Sequence, residues 1–210
     1  KTIQAQAPHV FLAGATPPHD VALLGEQDFS CFAESAHHKE LIAIGETGLD
    51  YYYAYSPKEL QQEFLRRYLR LAKETALPVI IHCREAFCDL FAILDQEYSG
   101  YPGILHCFTG TQEEANELIG RGWMVSLSGI VTFKKSHSLH EVAASLPLSQ
   151  LLVETDAPYL APQSRRGDSN EPAYLPEIVA WIAHLKGISV EDVAAATKNN
   201  LLRLLGLLGE

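Results

Sequence analysis

The stretch that most constrains this chain is Leu151–Pro158, LLVETDAP, in which three apolar residues run into acid side chains at Glu154 and Asp156 before a proline closes the run. A continuous apolar run is the signature of a strand buried on both faces of a parallel sheet. A carboxylate on such a strand is too costly to bury alone; it needs hydrogen-bond donors, a counter-charge or a metal. The same pattern recurs upstream, where LIAIGE ends in Glu46, PVIIH in His82 and GILH in His106. Four apolar strands ending in Glu, His, His and Asp read as a metal site at one end of a parallel barrel.

The rest of the chain fits that frame. Strands are expected over His9–Ala15, Leu41–Thr47, Pro78–Cys83, Gly103–Phe108, Trp123–Ser128 and Leu151–Thr155. Helices are expected over Glu26–His37, Lys58–Ala76, Glu85–Glu97, Gln112–Arg121, His140–Leu146 and Glu171–Lys186, with a last helix capped by Ser189. Ser56-Pro57 opens the second of these and Asn170 is a good N-cap for the sixth. Such alternation predicts right-handed β-α-β units and a parallel sheet. Six strands are two fewer than a closed (β/α)₈ barrel. The expectation is therefore a single α/β domain over residues 1–210, a TIM-like (β/α)₈ barrel that either lacks its first one or two βα units in this chain or closes differently.

Charge and cysteine usage narrow the function classes. A net charge of −10 and a pI near 5.3 argue against a broad basic face tracking a nucleic-acid backbone. They leave room for a nuclease whose cations are metal ions in a small cleft. The four cysteines form no C-x-x-C and no disulfide-dense pattern, which points to a reducing, cytoplasmic compartment. No apolar run reaches the length of a membrane span and no signal-peptide pattern opens the chain, so no membrane partner is expected.

In a parallel barrel the C-terminal strand ends form the functional face, which makes Glu46, His82, His106 and Asp156 candidate ligands of one centre. Carboxylate and imidazole together suit Zn²⁺, Mn²⁺ or a mixed site, and Mg²⁺ less readily. His82-Cys83 and His106-Cys107 also invite a Cys₂His₂ zinc site. Side-chain alternation along a strand opposes it and makes the thiols core residues. Glu154 shares the face of Asp156, where it either orients a ligand histidine or pairs with a buried cation.

GETGLDYY (45–52), HCRE (82–85), HCFTG (106–110), ETDAPYLAP (154–162) and RRGDSNEPAYLP (165–176) together resemble the TatD family of metal-dependent deoxyribonucleases. The resemblance runs from about Phe11 to the end of the chain, in matching order and spacing. It implies a barrel of the metallo-hydrolase type with one or two divalent metal ions (Mg²⁺, Mn²⁺ or Zn²⁺). It carries Glu46, His82, His106 and Asp156 over as ligands, with Asp156 and Glu46 as the catalytic carboxylates. It also implies hydrolysis of phosphodiester bonds in DNA, at single strands or 3′ ends. Two departures stand out. The family's H-x-H on its first strand has no counterpart here, and its H-P-H-D reads Pro17-Pro18-His19-Asp20.

Other residues carry two readings each. Arg84 follows a ligand strand and either holds a phosphate oxygen or makes an ordinary ion pair. Lys134 and Arg165, with Arg166, lie in loops on the same face as substrate contacts or as solvated charges. His19 either faces the site or is loop-exposed. Tyr51-Tyr52-Tyr53 either stacks bases of a single strand or packs its loop over the barrel mouth. The rivals to a DNA phosphodiesterase are an amide or carboxylic ester hydrolase of the same barrel class, and a non-catalytic metal-binding barrel.

Overall fold

Two parallel strands, β1 (Ile44–Asp50) and β2 (Val79–Arg84), form the centre of the first half of the chain in a computed structural model that describes residues 7 and 9–208. The chain divides into two units, residues 1–104 and 105–210.

In the first unit, Gly48 pairs with His82, Leu49 with Cys83 and Asp50 with Arg84. The register slips between Ile44 and Thr47, a bulge that falls at Gly45 and Glu46. Helix α1 (Val21–His37) and helix α2 (Lys58–Thr75) pack beside the strands, and α3 (Phe87–Glu97) follows β2. The buried face of α2 is Gln61, Phe64, Leu65, Tyr68, Leu69 and Ala72, the three-and-four spacing of one helix stripe. Its two polar members do specific work. Gln61 accepts from Asp50 N at 2.7 Å and donates to Asp50 O at 3.0 Å and Ser56 O at 2.9 Å, which fixes the end of β1. Tyr68 accepts from Thr16 N at 3.0 Å and meets Thr16 Oγ1 at 2.7 Å, anchoring the segment that precedes α1.

Three expectations are corrected here. The first expected strand, His9–Ala15, is reduced to a parallel bridge between Ala13 and Ala43, flanked by Ile42 N donating to Leu12 O at 2.8 Å. Helix α1 begins five residues before Glu26, because Gly25 is a packing residue and not a helix breaker. A Cβ there would lie 2.5 Å from the Phe64 ring. Strand β1 is displaced toward Asp50, so Glu46 sits inside it and Asp50, not Glu46, is its last residue.

The second unit contains β4 (Met124–Leu127) and β5 (Leu151–Val153), paired in parallel with Ser126 opposite Leu152. The strand between the pairs, β3 (Gly103–His106), crosses the division and ends on His106. Around β4 and β5 stand α4 (Gln112–Gly120), α5 (His137–Ser145), α6 (Leu175–Lys186) and α7 (Val190–Leu204). Thr111 and Glu114 close α4 with a reciprocal capping box, and Ser189 caps α7 as expected. Asn200 of α7 donates to Leu148 O at 2.8 Å and Leu151 O at 2.9 Å, seating the helix against β5. Asn170 does not cap α6, which starts at Leu175 after a single 3₁₀ turn. It instead donates to Thr155 O and Tyr159 O, both at 2.7 Å, and so pins the loop after β5. No helix among the described residues is long and apolar enough to cross a membrane.

At Gly48 the neighbouring strand leaves no room for a side chain. The glycine's φ is +149°, and a Cβ would stand 1.9 Å from the carbonyl oxygen of His82. Backbone strain and overpacking combine in Gly48→Ala, at about 3 kcal/mol or more. Its melting temperature should fall by about 10 °C. Gly120→Ala is the control, since a Cβ there meets nothing within 4 Å. Equal melts for the two variants would refute the close approach.

Candidate metal centre

Past the bulge, Gly48 and Asp50 share one face of β1, and His82 lies opposite the glycine. With no side chain at Gly48, the imidazole sits between two carboxylates. His82 Nε2 is 2.9 Å from Asp50 Oδ2. A Glu46 carboxylate oxygen and a His82 ring nitrogen lie within 4.8 Å. Asp50 is fully buried. Its Oδ1 accepts from Tyr52 N at 3.0 Å and Tyr53 N at 2.8 Å, and its Oδ2 also stands 3.1 Å from His19 Nε2. Burial pushes the Asp50 carboxyl up, but the Tyr53 amide and the His82 and His19 rings outweigh it and hold the group below its ordinary value. An ionised carboxylate only accepts, so His82 donates through Nε2, and Nδ1 becomes the ring's electron-pair donor. A carboxylate holding the far ring nitrogen in this way fixes the direction and tautomer of a metal-binding histidine.

In the second unit His106 stands last on β3 and Glu154 directly follows β5, its N–H donating to Leu127 O at 3.1 Å. His106 Nδ1 is 2.6 Å from Glu154 Oε1, and its Nε2 is 3.4 Å from Asp156 Oδ1. Asp156 holds a left-handed backbone, φ 61°, in the loop that Asn170 pins. The expected strand end at Thr155 is thus a tied loop, and Asp156 is placed by side-chain hydrogen bonds rather than by sheet pairing.

The donor sets fit a divalent cation. His19, Asp50 and His82 form one group, and His106, Glu154 and Asp156 another; within each, one ligand atom per residue lies within 4.8 Å of the others. Two buried atoms in these groups, His19 Nε2 and Glu154 Oε1, have close neighbours but no aligned hydrogen bond. Buried polar atoms rarely go unsatisfied unless something else meets them. The imidazole and carboxylate mixture suits Zn²⁺ or Mn²⁺. Thiolate ligation has no support. Cys83 is buried and alternates with His82, as β2 geometry demands. The Cys107 thiol is pushed up to about 12 by burial and by the nearby Glu154 charge.

The remaining expected residues divide between the two units. His19 and Arg84 lie with His82, and the Arg84 guanidinium covers the Tyr52 ring at 3.7 Å. Arg165 is engaged by Glu177 at 3.1 Å, and exposed Lys134 donates its backbone N–H to Gln163 Oε1 at 3.4 Å. Asp50 was not expected. Its signal, an acid just past the expected strand end at Thr47, was present in the sequence, but the strand runs on through Gly48 to Asp50.

Comparison with known proteins gives the family and the fold. The family model described as TatD related DNase matches residues 1–206. The chain is 44% identical over 170 residues to the uncharacterized metal-dependent hydrolase YcfH of Escherichia coli K12, covering 80% of this chain and 64% of that relative, less than two thirds of its length. It is 37% identical over 209 residues to the 3′-5′ ssDNA/RNA exonuclease TatD of Citrobacter rodentium, covering 95% of this chain and 78% of that one. Among solved structures it is similar to YjjV, a TatD homologue from Escherichia coli K12, at 26% identity and TM-score 0.88, over 97% of this chain and 80% of the other. That likeness shows the TatD-type, TIM-barrel-like α/β fold class anticipated from the sequence.

Glu154→Gln keeps the shape at His106 and removes the charge. Zn²⁺ or Mn²⁺ affinity measured by titration calorimetry should fall by about 10–100-fold, with the metal-free melt within a few degrees of the parent. An unchanged affinity would remove Glu154 from the centre.

Proposed function

The chain belongs to the TatD related DNase family of metal-dependent hydrolases, and on that premise we propose that it hydrolyses phosphodiester bonds in DNA, working from the 3′ end of single strands. The observation that carries this reading is the pair of histidines, His82 and His106, each held by a carboxylate through one ring nitrogen or in contact with it at 2.6–2.9 Å. Glu46, His82, His106 and Asp156 are the residues that would hold a divalent cation, supported by their places on or just past the strands and by the family. The cation would supply the Lewis acidity that eases loss of a proton from water and offsets charge on phosphoryl oxygens. Asp156 accepts the proton of the attacking water. Its side chain is 27% exposed, so water reaches it, while the loop behind it is tied by Asn170. Glu46 is the second catalytic carboxylate.

Substrate contacts in this reading come from His19, Arg84, Lys134 and Arg165, and Arg165 must first release Glu177. The chain acts as one hydrolase domain over residues 1–210, in a cytoplasmic setting that keeps the exposed thiols of Cys31 and Cys88 reduced. An amide or ester hydrolase of this class calls for a lysine at a strand end. The described strands end in Asp50, Arg84, His106, Leu127 and Val153, which favours the phosphodiester.

Asp156→Asn tests the assignment. The shape is kept, so the melt should stay near the parent's, but the amide cannot take a proton and ligates a cation more weakly. Cleavage of a 5′-labelled single-stranded oligonucleotide, with Mg²⁺ or Mn²⁺ titrated to saturation, should drop by about 10²–10⁴-fold. A variant that melts normally and cuts within about tenfold of the parent would show that another residue works on the water. A parent that binds metal but cuts no strand would favour the non-catalytic barrel.

A further inference from the structure

Immediately after β1 the chain turns through four tyrosines that the reaction above does not use. Tyr51 is the anchor: it donates to Asp89 Oδ2 at 2.7 Å, accepts from Gln62 Nε2 at 2.8 Å, and lies under the Lys58 ammonium at 4.2 Å. The backbone of the turn is fastened by Asp50 Oδ1. Packing of the loop is therefore complete without the other three rings. Yet Tyr52, Tyr53 and Tyr55 stand 53%, 46% and 70% exposed, an outlay of aromatic surface that folding alone does not explain.

Those rings are ordered against each other. Tyr53 and Tyr55 stack with centroids 5.4 Å apart and planes 13° from parallel, and Tyr52 stands edge-on to Tyr53 at 4.9 Å. The Arg84 guanidinium lies 3.7 Å from the Tyr52 centroid and 4.9 Å from that of Tyr53. His19 continues the surface, 5.7 Å from both Tyr53 and Tyr55 and 5.5 Å from His82. A ledge of π faces with one cation therefore runs up to the candidate ligand His82.

We propose that Tyr52, Tyr53, Tyr55 and Arg84 form a subsite that holds the unpaired bases of a single-stranded nucleic acid, an inference that rests on the nuclease reading and specifies how that site grips its substrate. Three observations select this occupant. Exposed aromatic faces bind bases of any sequence, because every base has a π face, and a guanidinium among them adds attraction to bases and phosphate alike. In a duplex those faces are already stacked, so the ledge discriminates for single strands. A chain with net charge −10 cannot rely on counterion release over a broad basic surface, and stacking supplies grip that needs no such surface. The position also fits: His19 lies between the ledge and the candidate ligand, 5.7 Å from Tyr53 and 5.5 Å from His82, so a strand stacked on the tyrosines leads toward His82.

The test compares a fluorescein-labelled oligo(dT) with the same strand carrying abasic sugars at its last four 3′ nucleotides, by anisotropy and without added divalent cation so that nothing is cut. The parent should bind the base-bearing strand about tenfold or more tightly than the abasic one. Tyr52→Leu/Tyr53→Leu, which keeps apolar bulk and leaves the Tyr51 anchor intact, should lose that preference, with a thermal melt confirming the fold. Equal binding of the two strands by the parent overturns the subsite, as does a preference that survives in the variant. A parallel cleavage assay on the parent keeps the two ideas apart. Cutting without a base preference sinks the ledge alone, and a Tyr-dependent preference without any cutting sinks the nuclease reading alone.

Discussion

A carboxylate buried to 0% exposure must have its lone pairs met, and around Asp50 that requirement organises the first half of the molecule. One oxygen takes two amides of the following turn, the other takes His82 and faces His19, and the backbone of the same residue is clamped by Gln61 from α2. One residue thus ends a strand, starts the tyrosine loop, orients a candidate ligand and joins sheet to helix. Its charge persists although burial opposes it, because the amides and imidazoles favour the ionised form.

The second half uses the same physical device with different parts. His106 contacts a carboxylate at each ring nitrogen, Glu154 on one side and Asp156 on the other. Glu154 is placed by continuation of strand pairing to Leu127, whereas Asp156 depends on Asn170 holding the loop carbonyls. A metal centre demands this division of labour. Ligands must be fixed in direction as well as position, and rotamer freedom is removed only by groups behind them. The proposed base-stacking ledge grows from the same root, since the turn that presents the tyrosines is the one that Asp50 fastens.

The chain's own order of residues determined much of this. Apolar runs ending in Glu, His, His and Asp, alternating with amphipathic helices, were enough for a parallel α/β class and the candidate ligands Glu46, His82, His106 and Asp156, and the resemblance of five motif blocks to the TatD family added a metal-dependent hydrolase. Those features are local or periodic, and side-chain chemistry at fixed spacing is readable without coordinates. Ser189 and the α2 start at Ser56-Pro57 were legible for the same reason. What the sequence could not convey was what lies opposite. The expected strand stopped at Thr47, short of Gly48, where a Cβ would meet the His82 backbone, and the expected helix began at Glu26, past Gly25, where a Cβ would meet the Phe64 ring. Asn170 looks like a helix cap until its amide is found on Thr155 and Tyr159. Asp50 fell outside the expected strand Leu41–Thr47, and the parallel register of β1 with β2 buries it beside His82. Register, burial and partner choice are set by contacts between residues far apart in the chain, so only the tertiary structure decided them.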